Sequence, residues 1–153
     1  MQQPSIRKRI TQEIDVDEYK HIRKLWIDHS RAEDARDIPG LIATLTEDCV
    51  YVVVPTGDRW EGHDGARDFY HTLLGAFPDV VFNVTDIVIG PQGVIEIADL
   101  IGTHHGKWVG LEPTSKPVNF KVIIHFPWNR AAQLFDGEMV YFNMAQLRGQ
   151  LAD

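Results

Sequence analysis

The spacing of hydrophobic positions changes rhythm near the middle of the chain. From Asp15 onward, Tyr19, Ile22, Leu25, Trp26 and His29 recur at steps of three and four. One such stripe predicts an amphipathic helix. Asp15 and Asp17 stand where a capping side chain and first-turn carboxylates satisfy free amide groups. The charged run Ser30–Asp37 reads as a solvated helix end. Asp37-Ile38-Pro39 opens a short second helix, with proline in its first turn, and Thr46-Glu47-Asp48 ends it. The β-branched run Cys49–Val54 predicts a strand, and Pro55, Gly57 and Asp58 a turn. Gly62-His63-Asp64-Gly65 then leads into a third helix. Its apolar stripe is Ala66, Phe69, Tyr70, Leu73, Leu74 and Phe77, and Pro78 stops it.

Beyond Pro78 the pattern is that of strands. Four runs fall at 80–89, 94–103, 118–126 and 134–142, separated by Gly90-Pro91-Gln92-Gly93, a loop over 106–117 and Asn129-Arg130-Ala131-Ala132. Residues 144–151 close as a short helix. Helices first and a four-strand meander afterwards predict an α+β fold. A curved antiparallel β-sheet with three to four helices on one face would enclose a cone-shaped apolar pocket. The domain spans 15–153, and 1–14 reads as an N-terminal arm or extra helix.

The charge balance narrows the partners. The 153 residues carry 15 Lys+Arg against 22 Asp+Glu, a net charge of −7, without a basic block. General binding to nucleic acid or to an anionic membrane needs concentrated positive charge, so neither is expected. No apolar run approaches the roughly 20 residues of a membrane helix, and MQQPSIRKRITQEID lacks the apolar core of a secretory signal. The expected location is the cytoplasm. Cys49, the single cysteine, reads as a buried structural thiol and excludes an intrachain disulfide. His104 and His105 are adjacent on a strand end and face opposite ways, and no metal-binding motif is present, so no metal is expected.

Candidate chemistry begins with Asp99. Alternation along its strand groups Ile95, Ile97, Asp99 and Ile101 on one face. A carboxylate on an apolar face is expensive to ionise unless paired, and burial would tune it as an acid or base. The competing reading pairs Asp99 with a Lys or Arg of a neighbouring strand. His125 shares a mixed face with Asn119, Lys121 and Ile123, which suits a pocket or a dimer surface. Most aromatic residues read as core packing, but Trp60 and Trp108 lie in loops and suit a pocket mouth. His29, on the first helical stripe, faces either the cavity or the core.

The order of the elements and several local strings resemble the SnoaL-like polyketide cyclases of the NTF2-like superfamily, from about Tyr19 to Leu151. The strings are Glu61-Gly62-His63-Asp64-Gly65, Ala76-Phe77-Pro78-Asp79, Gly102-Thr103-His104-His105-Gly106 with Gly110-Leu111-Glu112-Pro113-Thr114, and Gly137 to Asn143 running into Gln146–Leu151. The resemblance implies a cone-shaped fold, a small apolar ligand, no cofactor, and a homodimer built on the outer face of the sheet. Three positions where relatives carry a carboxylate read Val54, Val140 and Asn143. Glu138, two residues before Val140 on the same strand face, is the candidate to replace the missing acid. The resemblance also implies that His125 helps hold the substrate; His104, part of the family's Gly-Thr-His string, is a substrate-binding candidate whose competing reading is that it anchors the following loop by hydrogen bonds. Two functions follow. One is a proton-transfer enzyme (aldol cyclisation, isomerisation or dehydration) with Asp99 or Glu138 as base and Tyr141, His125 or Asn143 holding an oxyanion. The other is a non-catalytic ligand-binding or interaction domain.

Overall fold

A computed structural model describes residues 4–153. Its elements are, in chain order, α1 (Ile6–Arg9), α2 (Val16–Asp34), α3 (Ile38–Ile42), β1 (Leu45–Val53), β2 (Asp58–Glu61), α4 (Gly62–Ala76), β3 (Val81–Gly90), β4 (Gly93–Thr103), β5 (Pro117–Asn129), β6 (Leu134–Phe142) and α5 (Met144–Leu151). Residues 1–3 of the expected N-terminal arm lie outside the described residues, and the rest of the arm carries the four-residue α1. Among the described residues no helix is long and apolar enough to cross a membrane.

The helices start where the side chains dictate. Asp15 accepts from the Glu18 amide at 2.8 Å and caps α2, and Asp37 accepts from the Gly40 amide at 3.0 Å and caps α3. The α4 stripe buries Ala66, Phe69, Tyr70, Leu73 and Ala76 against the sheet. The segment after Pro55 holds more than the expected turn, because β2 pairs with β1 from Val50↔Glu61 to Val53↔Asp58.

All six strands form one curved sheet in the order β2-β1-β6-β5-β4-β3. The meander β3–β6 is antiparallel throughout, whereas β1 pairs with β6 in parallel. The fold is thus α+β, with the helices over one face of an antiparallel-dominated sheet. Side-chain alternation divides the sheet cleanly. Val94, Glu96, Ala98 and Leu100 of β4 and Val118, Phe120, Val122 and Ile124 of β5 are buried beneath the helices.

Strand β6 departs from simple alternation at one point. Phe135 and Gly137 are buried, and then Glu138 and Val140 are buried as well. The phase changes at Gly137, whose φ of 117° is open to glycine and strained for other residues. A β-carbon there would overlap the Val50 carbonyl oxygen of β1. The ladder between β1 and β6 shifts register at the same place. This bulge turns Glu138 inward.

Candidate active site

Among the described residues a buried polar network lies on the inner face of the sheet, and Glu138 is its centre. Glu138 is 2% exposed, and lies beside Tyr51 in the β1–β6 ladder. Its Oε1 accepts from the Tyr70 hydroxyl at 2.7 Å and faces His29 Nε2 at 2.9 Å. The Tyr51 and Tyr70 hydroxyls are 2.9 Å apart, and Tyr70 also lies 3.0 Å from His29 Nε2. Because Tyr70 donates to Glu138, Tyr51 donates to Tyr70.

The other end of the chain fixes the histidine. Thr44 donates its hydroxyl proton to the Leu41 carbonyl at 2.7 Å, so its oxygen can only accept from His29 Nδ1, also at 2.7 Å. With Nδ1 protonated, the short approach of Nε2 to Oε1 needs a second proton between them. The pair therefore holds one shared proton, either as imidazolium with carboxylate or as neutral imidazole with carboxylic acid. Tyr70 steadies the carboxylate form. Among the described residues, the second oxygen of Glu138 makes no hydrogen bond.

Glu138 lines a small cavity of about 20 Å³, the room of a single water molecule. Phe69, Leu73, Trp108, Phe120, Val122 and Val140 make most of its wall, and Glu33, Phe82 and Phe142, which line it but remain half-buried, mark its mouth. Trp108 is held there by a tight turn in which Trp108 and Leu111 exchange backbone hydrogen bonds at 3.1 and 2.7 Å, with Gly110 at φ 80°.

Two further carboxyls bear on the site. Burial pushes Glu33 well above the usual carboxylate range, and the charges of Glu138, Glu96 and Asp34 add to the rise. Glu96, 5% exposed on β4, is pushed up to about 7, first by burial and then by the charge of Glu138. Burial likewise raises Tyr70 and Tyr51, with the charge of Glu138 as the next cause, so both phenols keep their protons. Among the described residues no group of three or more His, Cys, Asp or Glu is placed to hold a metal ion.

The residues expected from the sequence separate into two groups. Glu138, His29 and Trp108 meet at the cavity. Trp60 stands one layer back on β2, its ring 5.3 Å from Phe69. Asp99 is on the outer face of β4, opposite Lys121 of β5, and their charged groups are 2.7 Å apart. That pair, not burial, sets its chemistry: Lys121 holds the Asp99 carboxyl below the usual range. His125 and Tyr141 share this outer face, and His125 lies 3.4 Å from the Gln92 carbonyl. Asn143 caps α5, accepting from the Gln146 amide at 3.1 Å. His104 is fully buried, 3.2 Å from the Thr114 hydroxyl, and its backbone carbonyl accepts from the Thr114 and Ser115 amides. It braces the loop that carries Trp108 and is not among the residues lining the cavity.

Four residues of the site carry signals that the sequence reading passed over. Glu33 follows His29 by four residues and so shares its helix face, yet it sits in the run read as a solvated end. Glu96 occupies the other face of the strand that drew attention to Asp99. Tyr70 and Tyr51 read as core, and only their hydroxyl partners distinguish them. Cys49 fits its reading, fully buried with its thiol pushed up to about 11 by burial.

Comparison with known proteins bears on the family and the fold. Residues 21–149 match the family model described as SnoaL-like polyketide cyclase. A comparison with curated proteins gave no match. Among solved structures, a protein of Jannaschia sp. CCS1 provisionally assigned as a SnoaL-like polyketide cyclase superposes with a TM-score of 0.79 at 15% identity, covering 92% of this chain and 97% of that one. An NTF2-like protein of unknown function from Burkholderia pseudomallei K96243 gives 0.73 at 12% identity, over 87% and 98% of the two chains. AclR from Streptomyces galilaeus, provisionally assigned as a hydroxylase, gives 0.69 at 20% identity, over 87% and 96%. At such identities the structures speak for the fold alone, while the family model spans most of the sequence: the chain belongs to the SnoaL-like polyketide cyclase family.

Proposed function

We propose that the protein is an enzyme that moves a proton on a small, apolar, uncharged molecule, with Glu138 as the base. The observation that carries this is the state of Glu138. One oxygen is fixed by Tyr70 and His29, the other makes no hydrogen bond among the described residues, and the carboxyl lines an apolar cavity. A base must stand within reach of the proton it takes, and the hydrogen bonds from Tyr70 and His29 hold this carboxyl in place at the cavity. The reaction class is aldol ring closure, isomerisation or dehydration, each of which begins by breaking a C–H bond beside a carbonyl or leaving group. Because the cavity as it stands holds only about 20 Å³, binding of a ligand requires its lining side chains to give way.

A chromogenic carbon acid of the right character tests the base directly. The protein is expected to open 5-nitrobenzisoxazole, whose C–H is removed as its N–O bond breaks. Glu138→Gln should lower that rate by at least ~100-fold, the usual contribution of a positioned base. Unchanged turnover in the Gln variant would sink this reading.

The ligand-binding alternative draws support from Val140, which lines the cavity where relatives carry an acid. Tight ligand binding without turnover in the same assay would favour it. The outer face of the sheet, with Ile101, Ile123 and Tyr141 about two-fifths exposed around the Asp99–Lys121 pair, suits a second copy of the chain.

A further inference from the structure

The network around Glu138 leaves the second carboxyl of the cavity without a role. Glu33 reaches the cavity from the last turn of α2, four residues beyond His29 and on the same face. Its carboxyl has no hydrogen bond or ion pair among the described residues. The Arg36 guanidinium, a charge that opposes the rise, donates not to this carboxyl but to the backbone carbonyls of Glu33, Pro78 and Val80 at 3.3, 3.4 and 2.7 Å. Apart from Glu33 and Glu138 the cavity wall is wholly apolar or aromatic.

These facts decide the form Glu33 takes. A second negative charge beside Glu138, with no cation facing the cavity, would bear a large desolvation cost. Glu33 therefore keeps its proton, and a protonated carboxyl is a hydrogen-bond donor. The site thus holds two carboxyl groups in opposite states. One is fixed by donors and ready to accept, and the other is isolated by apolar neighbours and ready to give.

We propose that Glu33 is the proton donor of the site, a carboxylic acid that binds the carbonyl or phenolic oxygen of the ligand across the cavity from Glu138. This rests on the reading of Glu138 as the base. In the forward step the C–H bond beside the carbonyl breaks and its proton goes to the free oxygen of Glu138. The C–H electron pair becomes a C=C bond, the carbonyl π pair moves to oxygen, and that oxygen takes the proton of Glu33. The enol is then bound between neutral Glu138 and anionic Glu33, and the reverse transfers at another carbon restore both. The substrate class is an uncharged, ring-bearing ketone, ester or phenol. A free carboxylic acid is disfavoured, because it would bring a further negative charge to a cavity whose lining holds two carboxyls and no Lys, Arg or His.

Binding of 2-naphthol tests this without any need for turnover, because its fluorescence distinguishes the neutral phenol from the anion. The full chain is expected to bind 2-naphthol and to bind naphthalene-2-carboxylate at least tenfold more weakly. Glu33→Leu, which fills the space but cannot donate, should weaken naphthol by tenfold or more. Glu33→Gln, which keeps an N–H donor, should recover part of the loss. Removal of an unpaired buried carboxyl should leave the Leu variant at least as resistant to urea as the parent, which separates lost binding from lost folding. Equal naphthol affinity in the parent and the Leu variant would overturn the proposal, as would failure of the parent to bind naphthol. Preference for 2-naphthylmethylammonium over naphthol in a Glu138→Gln background would also overturn it, since there only an anionic Glu33 is left to hold the ammonium. Failure of the benzisoxazole assay alone, with these affinities as expected, would remove the base reading of Glu138 and leave Glu33 as the ligand's donor.

Discussion

Replacement of Glu96 by glutamine should stabilise the protein, and only above mildly acidic pH. Glu96 is 5% exposed, and burial, aided by the charge of Glu138, raises its pKa from the ordinary 4.5 to about 7. Between those two values the folded chain keeps a proton that the unfolded chain has released. Stability therefore falls as pH rises through this window and stays low above it. At about 1.4 kcal/mol per pH unit, the full window is worth about 3 kcal/mol. Glutamine has nearly the same shape and cannot ionise. Glu96→Gln is thus expected to match the parent near pH 4 and to exceed it by about 3 kcal/mol at pH 8. Urea unfolding of both proteins across that range, read by tryptophan fluorescence, gives the comparison. Because Glu33 is raised in the same sense, the Gln variant should keep a shallower decline. Parallel pH profiles for the two proteins would refute the assignment of a buried, reluctant carboxylate to Glu96.

Tyr70→Phe removes the 2.7 Å donor to Glu138 and leaves the buried Tyr51 hydroxyl without its acceptor. It should cost ~1–3 kcal/mol in chemical denaturation, and adding Tyr51→Phe should cost less than the sum of the two single changes. Gly137→Ala forces a β-carbon into the Val50 carbonyl at a φ of 117°; we expect a loss above about 3 kcal/mol or insoluble protein, and a near-parental melting temperature would refute the bulge argument. Cys49, fully buried with its thiol pushed up to about 11, should ignore a thiol reagent at pH 8 until the chain is unfolded. Ile123→Glu on the outer face should halve the mass measured by light scattering while leaving the circular dichroism spectrum unchanged. A parent that is already monomeric would remove the dimer.

The instructive failure of sequence reading lies on β4. Its two faces, Ile95-Ile97-Asp99-Ile101 and Val94-Glu96-Ala98-Leu100, each set one acid among apolar residues. Alternation separates the faces without saying which one the helices cover. The inner face is the one carrying Ala98 and Gly102, where Phe77 approaches Gly102 closely. Asp99 belongs to the other face, with Lys121 directly opposite in the ladder. A similar limit hid Glu33. Helical spacing aligns it with His29, but a charged run at a helix end is usually solvated, and only the packing of α2 over the sheet mouth makes this position an exception.

The sequence by itself determined most of the elements, the caps of α2 and α3 and the family, because periodicity, turn residues and capping side chains act over a few residues; it missed β2, and it read Thr46–Asp48, the start of β1, as a helix end. It also marked Glu138 by its place two residues before Val140, a relation that survives folding because Gly137 puts the bulge just ahead of both. What the tertiary structure decided was which groups share a proton. His29, Thr44, Tyr51, Tyr70 and Glu138 lie up to 109 positions apart in the chain, and hydrogen bonding among them depends on sub-ångström placement that no local pattern encodes. The same holds for the acid–base contrast between Glu33 and Glu138. It arises from what surrounds each carboxyl, and those surroundings exist only once the helices close over the sheet.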